Sequence, residues 1–415
     1  MPATLPVPAE PLALARSHTA ARHLCFLDTA RGGGQSFVMA DPVAVYRCKD
    51  GEGVLTWADG RSEKLTGDPF TDPAAVLREH STLTAAGYWS YDARYHVERL
   101  PRRTLDDLRL PDCWLGYYAD TFRYDRTECP AKPPRRALPV STPEPRDTMP
   151  RAAYEGAAQR VLEYIAAGDC YQVNLSHRLT VPLTGEPWGL YERLRGISPA
   201  PYAAYLDCGD HQVLSASPEL FLRIRDGQVE TRPIKGTRPR GRTPEEDAAL
   251  AAELLSSAKD RAELLMIVDL ERNDLGRVCE YGSVHVPDLF RLESYSNVHH
   301  LVATVRGTVR PELGPLDCLR AAFPGGSITG APKIRAMEII EELEPVRRGV
   351  YTGAIGWMDG RGNAEWNIAI RTMVAQAGQV HLYAGGGIVA DSDPAAEFDE
   401  TMVKAEAMLR ATRRV

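Results

Sequence analysis

The chain has 415 residues, of which 44% are hydrophobic and 25% are charged, and this composition excludes the disordered, collagen-like and coiled-coil classes. Its length suits two domains with a sizeable core. The net charge of −7 argues against a nucleic-acid-binding surface, because such a surface needs clustered lysine and arginine without offsetting acids.

Cysteine usage and hydropathy predict a cytoplasmic protein. Eight cysteines are scattered without a CxxC pair or a zinc-like spacing, which is typical of reduced structural thiols. No apolar segment follows a basic start as it does in an export signal, and no run of roughly eighteen apolar residues is present. We therefore expect neither a membrane nor a nucleic acid among its partners.

The first 125 residues are predicted to form a β-rich region with a helix or two. Its strand-like runs, separated by Gly, Asp and Pro, lie at 36–39, 44–48 and 53–57, and the segments 85–91 and 114–118 are rich in aromatic residues. The segment 126–150 contains seven prolines, a composition that resists both helix and strand. It is predicted to connect the N-terminal region to a catalytic domain at 151–415.

The second region is predicted to mix helices and strands. Helices are expected at 150–167, at 244–273 as one helix or two, after the 325–332 loop to 342, and at 394–412. Strands are expected at 171–180, 211–216, 219–224, 228–232, 301–309, 353–358, 366–374 and 379–384. Asp226-Gly227 predicts a hairpin turn between two of these strands.

Lys235 is the first candidate catalytic residue. It lies between stiff prolines, and Gly236 beside it lets the backbone approach a ligand closely. Three arginines are near in sequence, namely Arg232, Arg238 and Arg240. Like charge disfavours the ammonium form, so we expect the amine to act as a nucleophile if the site is partly dry. The alternative is an exposed basic turn that carries no chemistry.

Glu219 is the candidate partner of this lysine. It lies sixteen residues upstream, and a strand, a turn and a strand between them would return its carboxyl group to the amine. A carboxylic acid beside an amine nucleophile forms an acid-base pair. The alternative is a turn or helix-start carboxylate, because Glu219 follows Ser217-Pro218.

Two predicted helices carry acids suited to a hard cation. The terminal helix places Glu397, Glu400 and Lys404 on one face, at steps of three and four residues. Glu263 lies in a helix segment with apolar neighbours, where an acid needs a partner. The alternative is that these acids pair with Arg261 or Lys404 at the surface.

From about residue 154 to the end, the sequence resembles the chorismate-utilising enzymes. The matching segments include Gly168-Asp169-Cys170-Tyr171-Gln172, Ser217-Pro218-Glu219, Pro233-Ile234-Lys235-Gly236-Thr237, Gly325-Gly326-Ser327-Ile328-Thr329 and Ala384-Gly385-Gly386-Gly387-Ile388. The resemblance implies an α+β fold in which two antiparallel β-sheets pack as a sandwich with helices outside. It also implies that the N- and C-terminal parts interlock.

The resemblance further implies a magnesium site and a pocket for chorismate. Glutamates at the positions of Glu263 and Glu400 hold Mg²⁺ in the family, and the glutamate at the position of Glu397 stands in or near the outer shell. Mg²⁺ is coordinated by carboxylates, waters and substrate oxygens. The residues expected to bind the substrate are Arg371, Tyr351, Ser327, Thr329, Gly385, Gly386, Gly387, Lys404 and His300. The loop at Gly325 lacks a lysine directly after Gly330, so it is not a Walker A phosphate loop.

Two positions select among the reactions of the family. Members that activate water carry a lysine where this chain has Gln172, so we expect an amination. Members that aminate chorismate at C2 have Ala where Lys235 stands, so we expect amination at C4 through a covalent lysine intermediate, with Glu219 as general acid.

The expected product is 4-amino-4-deoxychorismate, on the way to 4-aminobenzoate and folate. A glutaminase-like Gly-x-Cys-x-Gly segment is absent, so ammonia is expected from a separate glutamine amidotransferase subunit. The alternatives are an anthranilate synthase component I and a binding subunit without turnover.

Overall fold

The computed structural model describes residues 10–30, 34–126, 144–295 and 298–413. Most of the predicted proline-rich connector, residues 127–143, lies outside the described residues. The elements before residue 150 are helices α1 (Pro11–Ser17) and α2 (Asp72–Glu79), a 3-10 helix (Tyr91–His96), and strands β1 (Cys25–Asp28), β2 (Gly34–Met39), β3 (Ala44–Lys49), β4 (Glu52–Trp57), β5 (Ser62–Lys64), β6 (Thr84–Trp89), β7 (Cys113–Tyr118), β8 (Phe122–Arg126) and β9 (Arg146–Asp147).

The elements after residue 150 alternate more evenly between helix and strand. The helices are α3 (Arg151–Ala166), α4 (Pro187–Ile197), α5 (Pro244–Ser256), α6 (Ala258–Gly276), α7 (Pro315–Ala322), α8 (Lys333–Leu343) and α9 (Pro394–Thr412), with a 3-10 helix (Gly326–Ile328). The strands are β10 (Gln172–Pro182), β11 (Tyr202–Asp207), β12 (His211–Ser217), β13 (Leu220–Arg225), β14 (Gln228–Arg232), β15 (Ile234–Pro239), β16 (His285–Ser294), β17 (Val298–Thr308), β18 (Gly330–Ala331), β19 (Ala354–Asp359), β20 (Ala364–Ile368), β21 (Thr372–Gln376) and β22 (Gln379–Ile388).

These strands form two antiparallel sheets. The first has the order β18-β10-β22-β21-β12-β11-β1-β2-β8, with β9 added at β10. The second has the order β15-β17-β14-β13-β20-β19-β6-β7-β3-β4-β5, with β16 added at β17. Helices α3, α4 and α9 pack on the first sheet, and α5 and α6 pack on the second. The α+β fold with two antiparallel sheets and outer helices is therefore confirmed.

Apolar side chains from the two sheets meet in a shared core. Phe37 and Leu206 of the first sheet belong to the same buried cluster as Tyr88, Ile355 and Trp357 of the second. The rings of Phe37 and Trp357 lie 4.8 Å apart. The sheets thus pack face to face as a sandwich, since each buries one side against the other.

The N- and C-terminal parts contribute strands to both sheets. In the first sheet β1 pairs with β11, where Cys25 lies opposite Leu206. In the second sheet β6 pairs with β19, where Gly87 lies opposite Gly356. The N-terminal region therefore completes both sheets, and the predicted interlocking is confirmed.

Most of the predicted elements of the second region are confirmed, including the two long outer helices α3 and α9. Asp226 and Gly227 form the predicted hairpin turn between β13 and β14, and both have positive φ (49° and 73°). The single strand predicted at 366–374 is wrong. The chain leaves the second sheet after Ile368 and enters the first at Thr372, and Arg371 between them adopts a φ of 50°.

Several elements were not predicted from the sequence, among them α4, α7, β11, β15 and β16. Strand β15 carries Lys235 and lies at the edge of the second sheet. Pro239 is tolerated there because an edge strand leaves one row of hydrogen-bonding groups unpaired. Lys235 therefore lies on a strand, and the alternative of an exposed basic turn is wrong.

Candidate functional site

Strand β15 and helix α6 bring Lys235 to Glu263. A Cβ atom on Gly236 would lie 2.8 Å from the carboxyl carbon of Asp260 in α6, and the residue has a φ of 70°. Glycine is required here because the helix crosses the strand so closely. The Lys235 Nζ lies 3.9 Å from a carboxylate oxygen of Glu263, and its side chain is 13% exposed. The partner that the sequence predicted for Glu263 is therefore the lysine itself.

The pKa of Lys235 is lowered from its ordinary value. Burial is the largest cause, and the ammonium group of Lys404 also lowers it, whereas Glu263, Glu219 and Glu400 act in the opposite direction. A lowered pKa increases the fraction of neutral amine, which is the nucleophilic form.

The three nearby arginines do not cause this shift, and that part of the prediction is wrong. Each guanidinium is neutralised by an acid. The pairs are Arg232 with Glu293, Arg238 with Asp260 and Glu253, and Arg240 with Asp247. Side chains on neighbouring strand positions point to opposite faces, so closeness in sequence did not predict closeness to the amine.

Glu219 lies at the start of the hairpin that leads to Lys235. Strand β13 follows it, and Leu220 lies opposite Arg232 near the end of β14. The hairpin returns the chain, as the sequence predicted. Of the alternative, the helix start is wrong, whereas Glu219 does lie in the short connection between β12 and β13. The charges of Glu219 and Lys235 influence each other's pKa, which shows that the two groups share one site.

The Glu219 carboxyl group is 4% exposed. Ser327 Oγ donates a hydrogen bond of 2.7 Å to it, and the Ile234 N–H also donates to it. Burial raises the pKa of Glu219 to about 7, although Ser327, Lys235 and Arg371 act to lower it. A carboxylic acid with a pKa near neutrality can both give and take a proton under ordinary conditions.

Helix α9 carries three further predicted residues. Asp393 caps its N-terminus by accepting a 2.9 Å hydrogen bond from the Ala396 N–H. Glu400 pairs with Lys404 at 2.7 Å, and Lys404 Nζ donates to the Gly385 carbonyl oxygen at 3.1 Å. The helix is thereby attached to strand β22 at the predicted substrate pocket.

The carboxylates of α6 and α9 fit one end of a magnesium site. Glu263 and Glu400 both act on the charge of Lys235, and Mg²⁺ needs only one or two carboxylates beside waters and substrate oxygens. Within the described ranges no three His, Cys, Asp or Glu side chains are arranged to hold a metal ion.

Glu397 has a different environment from Glu400. It is 6% exposed, and Ser392 Oγ donates a 2.6 Å hydrogen bond to it. Burial, and secondarily the charge of Glu400, raises the pKa of Glu397 above its ordinary value. At Glu400 the effect of burial is outweighed, chiefly by Lys404, and the pKa is lowered. Glu400 is therefore more readily ionised than Glu397.

Three glycines of β22 are closely packed, and at Gly385 the packing excludes a Cβ atom. A Cβ on Gly385 would lie 2.2 Å from Ser176 Oγ, one on Gly386 3.1 Å from Glu397 Oε2, and one on Gly387 3.1 Å from Gln172 Cδ. Strand β21 pairs with β22 only as far as Leu382. Beyond that point β21 no longer pairs with β22.

Tyr351 and Arg371 lie where the chain passes between the sheets. Tyr351 is 5% exposed and stacks on Tyr383, with 5.1 Å between ring centroids. Ser176 Oγ donates to its hydroxyl at 3.4 Å. The neighbouring Thr352 is buried with a φ of 60°, an uncommon conformation for a β-branched residue that is found at sites held by their surroundings.

Two further predicted residues, Thr329 and His300, are buried. Thr329 is completely buried, and its hydroxyl donates to the Gly325 carbonyl oxygen at 2.9 Å. His300 is 1% exposed, with its Nδ1 2.9 Å from Thr237 Oγ1. Their contacts shape the Gly325 loop and strand β15.

The sequence alone did not identify the polar face of β10. Gln172, Asn174 and Ser176 alternate with apolar residues in this buried strand. Polar side chains at every second position of a buried strand indicate a functional or hydrogen-bonded face, and this signal would have found them.

Comparison with known proteins places these features in a family. The model of the chorismate binding enzyme family matches residues 23–410. Aminodeoxychorismate synthase component 1 of Bacillus subtilis (strain 168) is 40% identical, over 94% of this chain and 92% of that protein. Anthranilate synthase component 1 of Pseudomonas aeruginosa is 50% identical over 67% of this chain and 58% of that protein.

A solved structure shares the architecture. The crystal structure of anthranilate synthase component I from Streptococcus pneumoniae TIGR4 superimposes with a TM-score of 0.78 and 31% identity, over 91% of this chain and 92% of that one. None of the helices in the described part of the chain is long and apolar enough to cross a lipid bilayer.

Proposed function

The chain belongs to the chorismate binding enzymes, and on that premise we propose that it is the synthase component of an aminodeoxychorismate synthase. It would convert chorismate and ammonia into 4-amino-4-deoxychorismate and water. A separate lyase would then release 4-aminobenzoate, the folate precursor. The single observation that carries the proposal is the buried Lys235 amine, with its lowered pKa, in the same site as Glu219.

The first half of the proposed reaction uses the amine as a nucleophile. Neutral Lys235 Nζ attacks C2 of the ring, both ring double bonds shift, and the C4–O bond breaks. Glu219 gives its proton to the departing hydroxyl, which leaves as water. The pKa of about 7 supports this role, because much of the acid is still protonated near neutral pH.

The second half exchanges the lysine for ammonia. Ammonia attacks C4, both ring double bonds shift back, and the C2–Nζ bond breaks. The ionised Glu219 takes the proton that ammonia loses, so the pair returns to its starting state. The ring undergoes no net oxidation, and no redox partner is needed.

Substrate orientation is assigned to the charged groups around the amine. Arg371 suits a carboxylate of chorismate because a guanidinium donates two parallel hydrogen bonds. Glu263 and Glu400 would hold Mg²⁺, which when bound neutralises and orients a substrate carboxylate. The N–H groups of Gly385 and Gly387, which point away from β10, are proposed as a second surface for a substrate anion.

The naming of component 1 relatives supports a two-component enzyme. We propose that ammonia comes from a separate glutamine amidotransferase and that the assembly is cytoplasmic.

The second candidate is anthranilate synthase component I, because relatives of that name reach 50% identity. The two reactions differ in the carbon that is aminated. Purified protein should be incubated with chorismate, MgCl₂ and an ammonium salt, and the product identified by chromatography and mass. We expect 4-amino-4-deoxychorismate; anthranilate would reject the proposal in favour of the second candidate.

A further inference from the structure

His177 is a buried histidine that the proposed reaction does not use. It follows Ser176 in β10, and its side chain is 0% exposed. Ser176 bonds to Tyr351 in the proposed substrate pocket. Successive side chains of a strand point to opposite faces, so His177 points to the outer face of the first sheet, where α3 and α9 pack. A buried imidazole needs hydrogen-bond partners, and those of His177 come from two other segments of the chain.

Both ring nitrogens of His177 contact a partner. Nδ1 lies 2.9 Å from each carboxylate oxygen of Asp147 in β9, and Nε2 lies 2.8 Å from Thr401 Oγ1 in α9. Asp147 is itself held by the Met149 N–H, which donates to it at 2.8 Å. The histidine therefore connects strand β9, the first sheet and helix α9.

The hydroxyl of Thr401 determines the direction of its bond with His177. This hydroxyl donates its hydrogen to the Phe398 carbonyl oxygen at 2.7 Å, and a carbonyl oxygen only accepts. At its contact with the ring, the hydroxyl oxygen therefore accepts and Nε2 carries the hydrogen. The Asp147 carboxylate at the other nitrogen holds the ring in the orientation that points Nε2–H at Thr401.

Thr401 lies in the part of α9 that carries the acids. Glu400 is the residue before it, and Glu397 lies about one turn earlier on the helix. Neighbouring residues of an α-helix are separated by about 100° around its axis, so the direction of Thr401 decides the direction of Glu400. Phe398 also packs on His177, with 5.5 Å between ring centroids. Apolar packing is not directional, whereas a hydrogen bond restricts both distance and angle, so the bond from His177 fixes the rotation of this turn.

We propose that His177 is a positioning residue, whose bond to Thr401 sets the rotation of α9 at which Glu400 reaches the proposed cation site. In this role it contacts no substrate and transfers no proton. The inference rests on the proposed function for the identity of the cation, Mg²⁺. The alternative is a histidine that only stabilises the packing of α9. Cation affinity and stability, measured on the same proteins, separate these two roles.

The test removes the acceptor of this bond. Thr401→Val deletes the hydroxyl with little change of shape, and Thr401→Ser keeps it. Mn²⁺ shares the preference of Mg²⁺ for carboxylate oxygens, so its Kd in the presence of chorismate is measured by electron paramagnetic resonance. All proteins in this assay carry Lys235→Ala, so that chorismate remains unchanged. The free energy of unfolding of the same proteins is measured by urea titration.

Thr412→Val is the matched control. Thr412 is 6% exposed and lies at the C-terminal end of the same helix, where its hydroxyl donates to the Leu409 carbonyl oxygen at 2.8 Å. The substitution removes the same kind of bond within the helix as Thr401→Val does, but away from the acids. A second control repeats Thr401→Val in a His177→Phe background, where the bond between the two residues is already absent.

We expect the Kd of Mn²⁺ to rise about tenfold in Thr401→Val and in His177→Phe, because each loses a group that orients a metal ligand. Thr401→Ser should keep the affinity of the parent protein. Thr412→Val should lower the free energy of unfolding as Thr401→Val does, without changing the Kd. In the His177→Phe background, Thr401→Val should cause no further loss of affinity, since the two residues act through one bond.

An unchanged Kd in Thr401→Val, whatever its stability, would overturn the inference. An equal rise in Thr412→Val, an equal loss in Thr401→Ser, or a further loss in the His177→Phe background would do the same. Absence of Mn²⁺ binding to the parent protein would also overturn it, because α9 would then hold no cation. Failure of the proposed function is a separate outcome. If the unmodified protein produced anthranilate, the aminated carbon would be reassigned, and the role of His177 at the cation site would stand.

Discussion

Glu219 and Lys235 have pKa values that burial shifts towards each other. The acid is raised to about 7 and the amine is lowered from its ordinary value. Burial penalises charge on both groups, so it favours the neutral acid and the neutral amine together. These are the protonation states that nucleophilic attack and leaving-group departure require.

The raised pKa of Glu219 predicts a pH dependence of stability. The folded state keeps the proton up to about pH 7, whereas an unfolded chain releases it near its ordinary pKa of 4.5. Between these values the folded state binds more protons, so the free energy of unfolding falls as pH rises. Glu219→Gln has no such titration. The free energy of unfolding of this variant, relative to that of the native protein, should therefore increase by roughly 1 to 3 kcal/mol between pH 5 and pH 8.

Urea unfolding at pH 5, 6.5 and 8 would measure this difference. The control is Glu312→Gln, an exposed glutamate with a side chain 67% accessible, which should follow the native protein at every pH. A difference between Glu219→Gln and the native protein that does not change with pH would show that Glu219 is ionised throughout.

The same variant should lose about a hundredfold or more in kcat, because the general acid is removed.

For single residues, the sequence predicted which side chains form the candidate site better than it predicted their surroundings. Lys235, Glu219, Glu263 and Ser327 lie together as predicted, because short motifs carried the resemblance. The source of the lysine's pKa shift was mispredicted, since the acids that neutralise its neighbouring arginines come from distant segments. In the sequence, Gln172 indicates only that a base is absent. The sequence does not show that its buried amide lacks a hydrogen-bond partner among the described residues.

Helix α9 positions the acids of the proposed metal site, and its N-cap controls its first turn. Removing the capping carboxylate leaves N–H groups of that turn unsatisfied. Asp393→Ala should therefore lower the free energy of unfolding by about 1 kcal/mol. It should also raise the MgCl₂ concentration needed for half-maximal activity, because Glu397 and Glu400 follow within two turns.

Thr243→Ala is the matched control for this variant. Thr243 caps helix α5 by accepting from the Glu246 N–H at 3.2 Å, and α5 carries none of the proposed ligands. It should lose similar stability without changing the MgCl₂ requirement, as assayed by product formation over a metal titration. Equal shifts in both variants would mean that the effect of Asp393→Ala comes from general destabilisation.

The elements that the sequence predicted well are those with strong end signals. Helix α9 begins at Pro394 with Asp393 as its N-cap, and the β13–β14 hairpin turns at Asp226-Gly227. The segment 366–374 was mispredicted because its apolar run continues through the change of sheet. The pattern of apolar residues indicates which side chains are buried. Since both sheets bury side chains in the same core, this pattern does not show where the chain leaves one sheet for the other.

The whole molecule is held together by strand pairing between its N- and C-terminal parts. Trp89 of β6 and Trp366 of β20 meet edge to face, with 5.7 Å between ring centroids. Since each sheet is completed by strands from both parts, neither part contains a full sheet. The family resemblance predicted this interlocking, whereas the proline-rich segment alone suggested two separable regions.

Unfolding should therefore be a single cooperative transition. We expect urea curves from far-ultraviolet circular dichroism and from tryptophan fluorescence to coincide, because tryptophans of both parts belong to one structure. A fragment of residues 144–415 should show no cooperative unfolding, since β11 and β19 would lose β1 and β6. Two separated transitions, or a cooperatively folded fragment, would contradict the interlocked description.

The covalent bond between Lys235 and the ring is the claim on which the proposed reaction depends. The most direct measurement is peptide mass spectrometry of protein quenched in acid during incubation with chorismate and MgCl₂ without ammonium. We predict a mass increase equal to chorismate less one water on the peptide that contains Lys235. This increase should persist in Lys64→Ala, a change on the exposed strand β5, and vanish in Lys235→Ala together with formation of 4-amino-4-deoxychorismate. A Lys235→Ala protein that makes the same product at an unchanged rate would contradict the account.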